Sequence, residues 1–231
     1  MITKITLTGA DNSIDPKQLV NISKEHPLVE WGILVSNNNF GSPRFPSKGW
    51  LTWLAQGYKG LPEMNLSCHL CGRWVRELCF EGKTEFISHI PIEIFKRIQL
   101  NFHAIVHKIN KKEFLEALKS FKGVQFIFQL DDVNNDILKV AQDAGINAVP
   151  LFDTSGGAGV LPESWPASVG YAGYAGGLSP DNLAQQMPEI LKASDNKPIW
   201  IDAETRLRSE DDKVFEEDKC LEFIKQAYKY I

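Results

Sequence analysis

Two glycine-bearing runs late in the chain hold the residues best suited to chemistry. One is Leu151-Phe152-Asp153-Thr154-Ser155-Gly156-Gly157-Ala158-Gly159; the other is Tyr174-Ala175-Gly176-Gly177-Leu178-Ser179-Pro180-Asp181-Asn182. Glycines admit positive φ and let backbone N–H groups close on an anion. Gly176-Gly177 leads toward a helical segment, whose N-terminus offers unpaired N–H groups and a positive dipole end. Phosphate is the anion such loops would grip, although the same glycines also suit tight turns. Asp153 directly follows an apolar stretch. A carboxyl there either serves as a general acid with a raised pKa or caps nearby N–H groups.

Cys68-His69-Leu70-Cys71, with Cys79 beyond, invites a metal reading. Zinc asks for about four converging ligands, and in an extended segment His69 and Cys71 face one side while Cys68 faces the other. No metal site is therefore expected. Core packing is one alternative, and an acid–base role for His69 or Cys71 is the other. For Cys68 and Cys71 the sequence does not make clear the strand-to-helix-start context that a redox Cys-x-x-Cys pair has. His103 and His107 read as surface or capping histidines. Trp50 and Trp53, with Phe40 and Phe45, either pack an amphipathic helix or stack on an aromatic ligand.

Short apolar runs alternating with helical patterns must position these groups. Lys4–Thr8, Val29–Val35, Met64–Leu70, Arg97–Phe102, Val124–Leu130, Ala148–Phe152, Val169–Ala175 and Pro198–Ile201 read as strands. Helices are predicted from about Asp15, with Pro16 first, and over Ser47–Gly57, Lys111–Phe121, Val133–Ala144, Pro180–Lys192 and Val214–Tyr230. Such alternation implies parallel pairing through right-handed crossovers. The count and the length of 231 residues fit one α/β domain, residues 1–231, closed as a (β/α)8 TIM barrel. In that fold the two glycine runs leave adjacent strands at the C-terminal face, which favours phosphate binding over simple turning. The long irregular stretch Asn37–Lys48 follows the second strand and is expected to be functional.

Composition narrows the partners. With 25 Lys+Arg against 29 Asp+Glu, the net charge is −4, and no basic stripe suits nucleic acid. No run approaches the ~18 apolar residues of a membrane span. The first eight residues alternate like a strand, not like a signal peptide. Four cysteines at uneven spacing read as free thiols in a reducing cytoplasm. The expected partner is a phosphorylated small molecule bound by a monomer or homodimer, without cofactor, nucleic acid or membrane.

The chain resembles the phosphoribosylanthranilate isomerase family, the barrel enzymes of tryptophan biosynthesis. Phe152-Asp153-Thr154 with Gly156-Gly157-Ala158-Gly159 matches that family's sixth-strand run of Leu-Asp-Ser/Thr followed by Gly-Gly-x-Gly. Ala175-Gly176-Gly177-Leu178-Ser179-Pro180-Asp181-Asn182 matches its seventh, apart from Asp181 for Glu. Ser42-Pro43-Arg44-Phe45 and Gln99-Leu100 are weaker echoes. The resemblance implies an Amadori rearrangement of an aminoaldose phosphate. Asp153 would be its acid and Arg44 the holder of the anthranilate carboxylate; His69, pointing into the barrel mouth, is read from its own position as a further substrate contact. Gly156, Gly157, Ala158, Gly159, Gly176, Gly177, Thr205 and Arg206 would hold the phosphate.

Two departures stand out. Thr8 occupies the position of the family's first-strand catalytic Cys, and a hydroxyl is too weakly acidic to replace it unaided. Asp11 would then be the substitute base, or only a turn residue. Asp202-Ala203-Glu204-Thr205-Arg206 replaces the family's Asp-Val-Ser-Ser-Gly, so that Glu204 would repel a phosphate while Arg206 or Arg208 would attract it. The resemblance implies a phosphosugar isomerase with an altered base or substrate; the alternative is a non-catalytic phosphoribosyl- or nucleotide-binding barrel.

Overall fold

A computed structural model describes residues 1–101, 109–130, 135–153, 158–168 and 170–231. Eight parallel strands close into a barrel in chain order. They are β1 (Ile2–Thr8), β2 (Val29–Val35), β3 (Asn65–Leu70), β4 (Arg97–Leu100), β5 (Gln125–Leu130), β6 (Ala148–Phe152), β7 (Ala172–Tyr174) and β8 (Ile199–Ala203). The described helices are α1 (Pro16–Glu25), α2 (Lys48–Gly60), α3 (Gly72–Glu81), α4 (Lys111–Lys119), α5 (Asn135–Asp143), α6 (Leu183–Ala193) and α7 (Glu217–Ala227). The predicted TIM barrel is the observed architecture.

Side chains alternate across each strand. Ile5, Leu7, Ile33, Leu66, Cys68, Ile98, Leu100, Ile199 and Ile201 join the core shared with the helices. The opposite rows fill the barrel, and they are not uniformly apolar. Ile127, Leu151, Ala175 and Trp200 form a small apolar cluster, while Thr6, Glu30, Ser67 and Arg97 lie buried as polar groups. Arg97 Nη1 bonds Glu30 Oε1 at 2.7 Å, Thr6 donates to the same oxygen at 3.0 Å, and Arg97 lies 4.2 Å over the Trp200 ring.

Local chemistry sets the helix ends. Asp15 caps α1, its carboxylate accepting from the Lys17 amide at 2.8 Å while Gln18 bonds back to the Asp15 amide. Ser47 caps α2 at the Trp50 amide, one residue before the helix begins, and the helix runs on to Gly60, past the predicted Gly57. Several boundaries differ from the sequence reading; α7, for one, runs Glu217–Ala227 where the sequence suggests Val214–Tyr230. The strand predicted over Val169–Ala175 is Ala172–Tyr174 among the described residues, with Val169 outside them; the Ser168 hydroxyl donates to the Gly170 carbonyl at 3.1 Å. The strand predicted to Phe102 ends at Leu100, and Phe102 falls outside the described residues.

The helix predicted from Pro180 starts at Leu183, because Ser179 and Asn182 exchange amide-to-side-chain bonds at 2.9 and 3.2 Å and close a turn first. Pro188 sits inside α6 and cannot donate to the Ala184 carbonyl. The Tyr230 hydroxyl takes up that acceptor at 3.3 Å.

Candidate functional site

The strand ends converge on a small cavity of about 40 Å³ at the C-terminal mouth. Its lining includes His69 from β3, Gln99 from β4, Asp153 after β6, Gly176 and Gly177 after β7, and Asp202, Glu204, Thr205 and Arg206 around the end of β8. Of the residues predicted for the site, His69, Asp153, Gly159, Gly176, Gly177, Thr205 and Arg206 meet here. Gly156 and Gly157 lie outside the described residues, as do His103 and His107, and Ala158 is exposed and does not line the cavity.

Thr8 is buried beside this cavity, and its hydroxyl donates to Asp202 Oδ1 at 2.7 Å. Burial drives the Asp202 carboxyl well above the usual carboxylate range; the Thr8 bond opposes this and the charge of Glu204 adds to it. Gln129 donates to Asp153 Oδ2 at 2.8 Å, orienting that carboxyl from β5. Burial also raises Glu204, against the opposing pull of Arg44.

Room for this arrangement depends on Gly32. A Cβ there would stand 2.2 Å from Thr8 Oγ1 and 2.9 Å from His69 Nε2. Gly177, at φ +69°, is equally constrained. Its Cβ would stand 2.5 Å from the Leu161 amide nitrogen, so the loops after β6 and β7 touch backbone to backbone.

Hydrogen bonds run in one direction along the rim. Gln99 donates to Asn101 Oδ1 at 3.0 Å, Asn101 to Cys71 Sγ at 3.2 Å, and Cys71 Sγ to the His69 carbonyl at 3.5 Å. This leaves Gln99 Oε1 buried with no partner, and His69 Nε2 is likewise buried and unpartnered. Burial, followed by the charge of Arg97, lowers the His69 pKa to about 3, so the ring is neutral. The Cys71 thiol is pushed up to about 12 by burial, and Cys68 packs in the core. Cys68, His69 and Cys71 therefore face different surroundings, and no group of three metal-binding side chains is placed around an ion among the described residues.

On the anion side, the main-chain N–H groups of Gly176, Gly177, Thr205 and Arg206 meet no acceptor among the described residues. The Arg206 guanidinium is exposed beside them and forms no ion pair among the described residues.

The other predicted residues form a separate network behind the mouth. Asp11 Oδ2 accepts from Arg208 Nη2 at 2.8 Å and from the Arg44 amide at 2.7 Å. Burial raises the Asp11 carboxyl, but these bonds and those from Ser13 outweigh it and hold the pKa low. Asp11 does not line the cavity. Arg208 has a fully buried side chain engaged with Asp11 and Asp212, so Arg206 is the arginine available to a ligand. Arg44 bonds Glu204 and Asp212 at 2.7 Å each. Trp50 is buried with its indole N–H on the Ile14 carbonyl, whereas Trp53 is exposed on the outer face of α2; neither lines the cavity. Sequence reasoning missed Gln129, Asp212 and the buried Glu30–Arg97 pair. An inward-facing period of two in β1 to β4 was the signal for that pair; Asp212 had none.

The closed ring of eight βα units, with polar groups gathered at the strands' C-terminal ends, defines a TIM barrel with a single polar mouth. Solved structures share it end to end. A phosphoribosylanthranilate isomerase from Thermotoga maritima superposes with TM-score 0.58 at 15% identity, covering 99% of each chain. A KGPDC from Streptococcus mutans gives 0.51 at 11% identity and 98% of each chain. A DUF72 family protein from Thermotoga maritima gives 0.52 at 13% identity and 98% of each chain. Identities this low establish the fold alone. No family model and no curated protein matches the chain.

Proposed function

We propose that this chain is a phosphosugar isomerase, moving a proton between adjacent carbons of a small phosphorylated aldose as a divergent relative of phosphoribosylanthranilate isomerase. The observation that carries the reading is the meeting, in one cavity, of unpaired N–H groups beside Arg206 with the carboxyls of Asp153 and Asp202. Gly177 is buried, Gly176 and Thr205 are half-buried and Arg206 is exposed; together their N–H groups form a set of donors that the several oxygens of a phosphate monoester can accept from.

In this reading the phosphate sits on the amides of Gly176, Gly177, Thr205 and Arg206, with the Arg206 guanidinium alongside. Asp153 serves the sugar oxygens. It gives a proton to the ring oxygen as the ring opens and takes back that of the O1 hydroxyl. Asp202, whose carboxyl burial pushes toward higher proton affinity, removes the C2 proton while Asp153 protonates O1. The resulting enediol returns its O2 proton to Asp153 and takes the stored proton from Asp202 at C1. Thr8 orients the Asp202 carboxylate and does not itself act as the base. The partner is thus a phosphorylated small molecule, and the chemistry runs on this chain's own side chains.

The test is incubation with ribose 5-phosphate in deuterium oxide, followed by proton NMR. Deuterium should enter at the carbon positions, and Asp153→Asn or Asp202→Asn should slow its entry by about 10²–10⁴-fold. If the wild-type protein neither exchanges the proton nor is stabilised against heat by the ester, the reading fails.

A further inference from the structure

The mouth that would take a phosphate ester is otherwise an unwelcoming place for anions. Asp153, Asp202 and Glu204 line it, and Arg206 is the one cationic side chain among its described lining residues. Arg44 of the second loop does not line this cavity but borders an adjoining cleft that shares Gly159, Gly177, Thr205 and Arg206 with it, and it is already satisfied by carboxylates of its own chain. Its Nη1 bonds Glu204 Oε1 at 2.7 Å and Thr205 Oγ1 at 3.2 Å, and its Nε bonds Asp212 Oδ2 at 2.7 Å.

The pairing is built into the backbone. Arg44 is held at φ +72° and Asp212 at φ +58°, conformations that non-glycine residues adopt only when their surroundings impose them. The Arg44 amide is anchored on Asp11, and Arg208, with no exposed side-chain surface, ties Asp11 to Asp212. Glu204 therefore fills the place where an incoming carboxylate would otherwise form a charge-assisted pair.

The rest of the cavity asks for hydroxyl groups. Gln99 gives one of its two amide N–H donors to Asn101, and its Oε1 is a buried acceptor without a donor. His69 offers a neutral, unpartnered Nε2. A sugar hydroxyl satisfies either atom, being donor and acceptor at once. A carboxylate cannot donate to Gln99 and would join three carboxyls already present.

We infer that Glu204 is a specificity-determining residue: by occupying Arg44 it makes the mouth select phosphorylated sugars whose other half is neutral and hydroxylated, and reject those bearing a carboxylate. The inference rests on the phosphosugar reading above and narrows it, excluding an anthranilate-like half. Selectivity here comes from an internal competitor that repels the wrong ligand as well as from contacts to the right one.

The experiment measures dissociation constants by calorimetry, at neutral pH and low salt, for ribose 5-phosphate and for 6-phosphogluconate. The wild-type protein should bind ribose 5-phosphate at least about tenfold more tightly. Glu204→Gln, which keeps the shape and removes the charge, should shift the ratio by about tenfold toward 6-phosphogluconate. Asp212→Asn, which weakens the other grip on Arg44, should shift it the same way and serves if the first variant does not fold. Equal wild-type affinities, or a ratio unmoved in the folded variants, overturn the inference while leaving the phosphosugar reading intact. Failure of both esters to bind overturns both.

Discussion

Replacing Arg97 by Met tests whether the polar half of the barrel interior is held together by charge pairing. Arg97 and Glu30 are nearly solvent-free, with side-chain exposures of 4% and 1%. In the variant, Glu30 keeps the Thr6 hydroxyl but loses its guanidinium, and Lys4 is directed to Asn65 at 2.9 Å. Removing one partner of a buried pair costs about 3–5 kcal/mol, and loss of the guanidinium from the Trp200 face adds up to about 2 kcal/mol. A domain of this length loses about 2–4 °C of Tm per kcal/mol, so the pair alone predicts a fall of roughly 6–20 °C. Urea unfolding followed by tryptophan fluorescence reads the free energy, and calorimetry reads Tm. The Arg97→Met, Glu30→Gln double variant should recover most of the loss, because it no longer buries an unpaired charge. A single-variant cost under about 1 kcal/mol, or a double variant no better than the single, would refute the reasoning.

Two further outcomes follow from the mouth. Gly32→Ala should cost about 1–3 kcal/mol from overpacking and should also weaken protection by ribose 5-phosphate, since the new methyl collides with both Thr8 and His69; normal stability in urea would contradict the close approach. Asp202 has a folded-state pKa above its unfolded value. Its favourable contribution is therefore complete below the ordinary carboxylate range near 3.8 and is lost as pH rises through the elevated value. Asp202→Asn should accordingly gain stability relative to wild type as pH rises, a trend visible in urea midpoints; a difference independent of pH would rule out a buried, charge-averse carboxyl.

The barrel is legible in the sequence because its signals are local: short β-branched runs, Ser47 and Asp15 at helix starts, and Gly145 after α5. β7 is the exception. The apolar stretch from Val169 reads as strand, but among the described residues pairing runs only from Ala172 to Tyr174. The glycine loops and Asp153 are legible for the same reason, being compact motifs at strand ends. The polar filling of the barrel is half legible. Thr6 and Thr8, Ser67 and His69, and Arg97 and Gln99 occupy alternate inward positions, a period of two beneath strands that look simply apolar.

Pairings that require closure are not legible at all. Thr8 meets Asp202 across 194 positions, and Arg44 meets Asp212 across 168, and nothing local encodes either. Arg44 illustrates the consequence. Its place in the second loop is readable, but its occupation by Glu204 depends on where β8 brings the chain back.

The seam between β1 and β8 has a kinetic meaning. Thr8 to Asp202, Gly9 to Arg208 and Ser13 to Phe215 all join the two ends of the sequence, and such nonlocal contacts are the slowest to form. A chain folded through β7 would already have most of its helices packed, yet it would lack Asp202, Glu204 and Arg206 and leave Arg44 without its carboxylate partners. If β8 closes last, the proposed site is complete only at that final step.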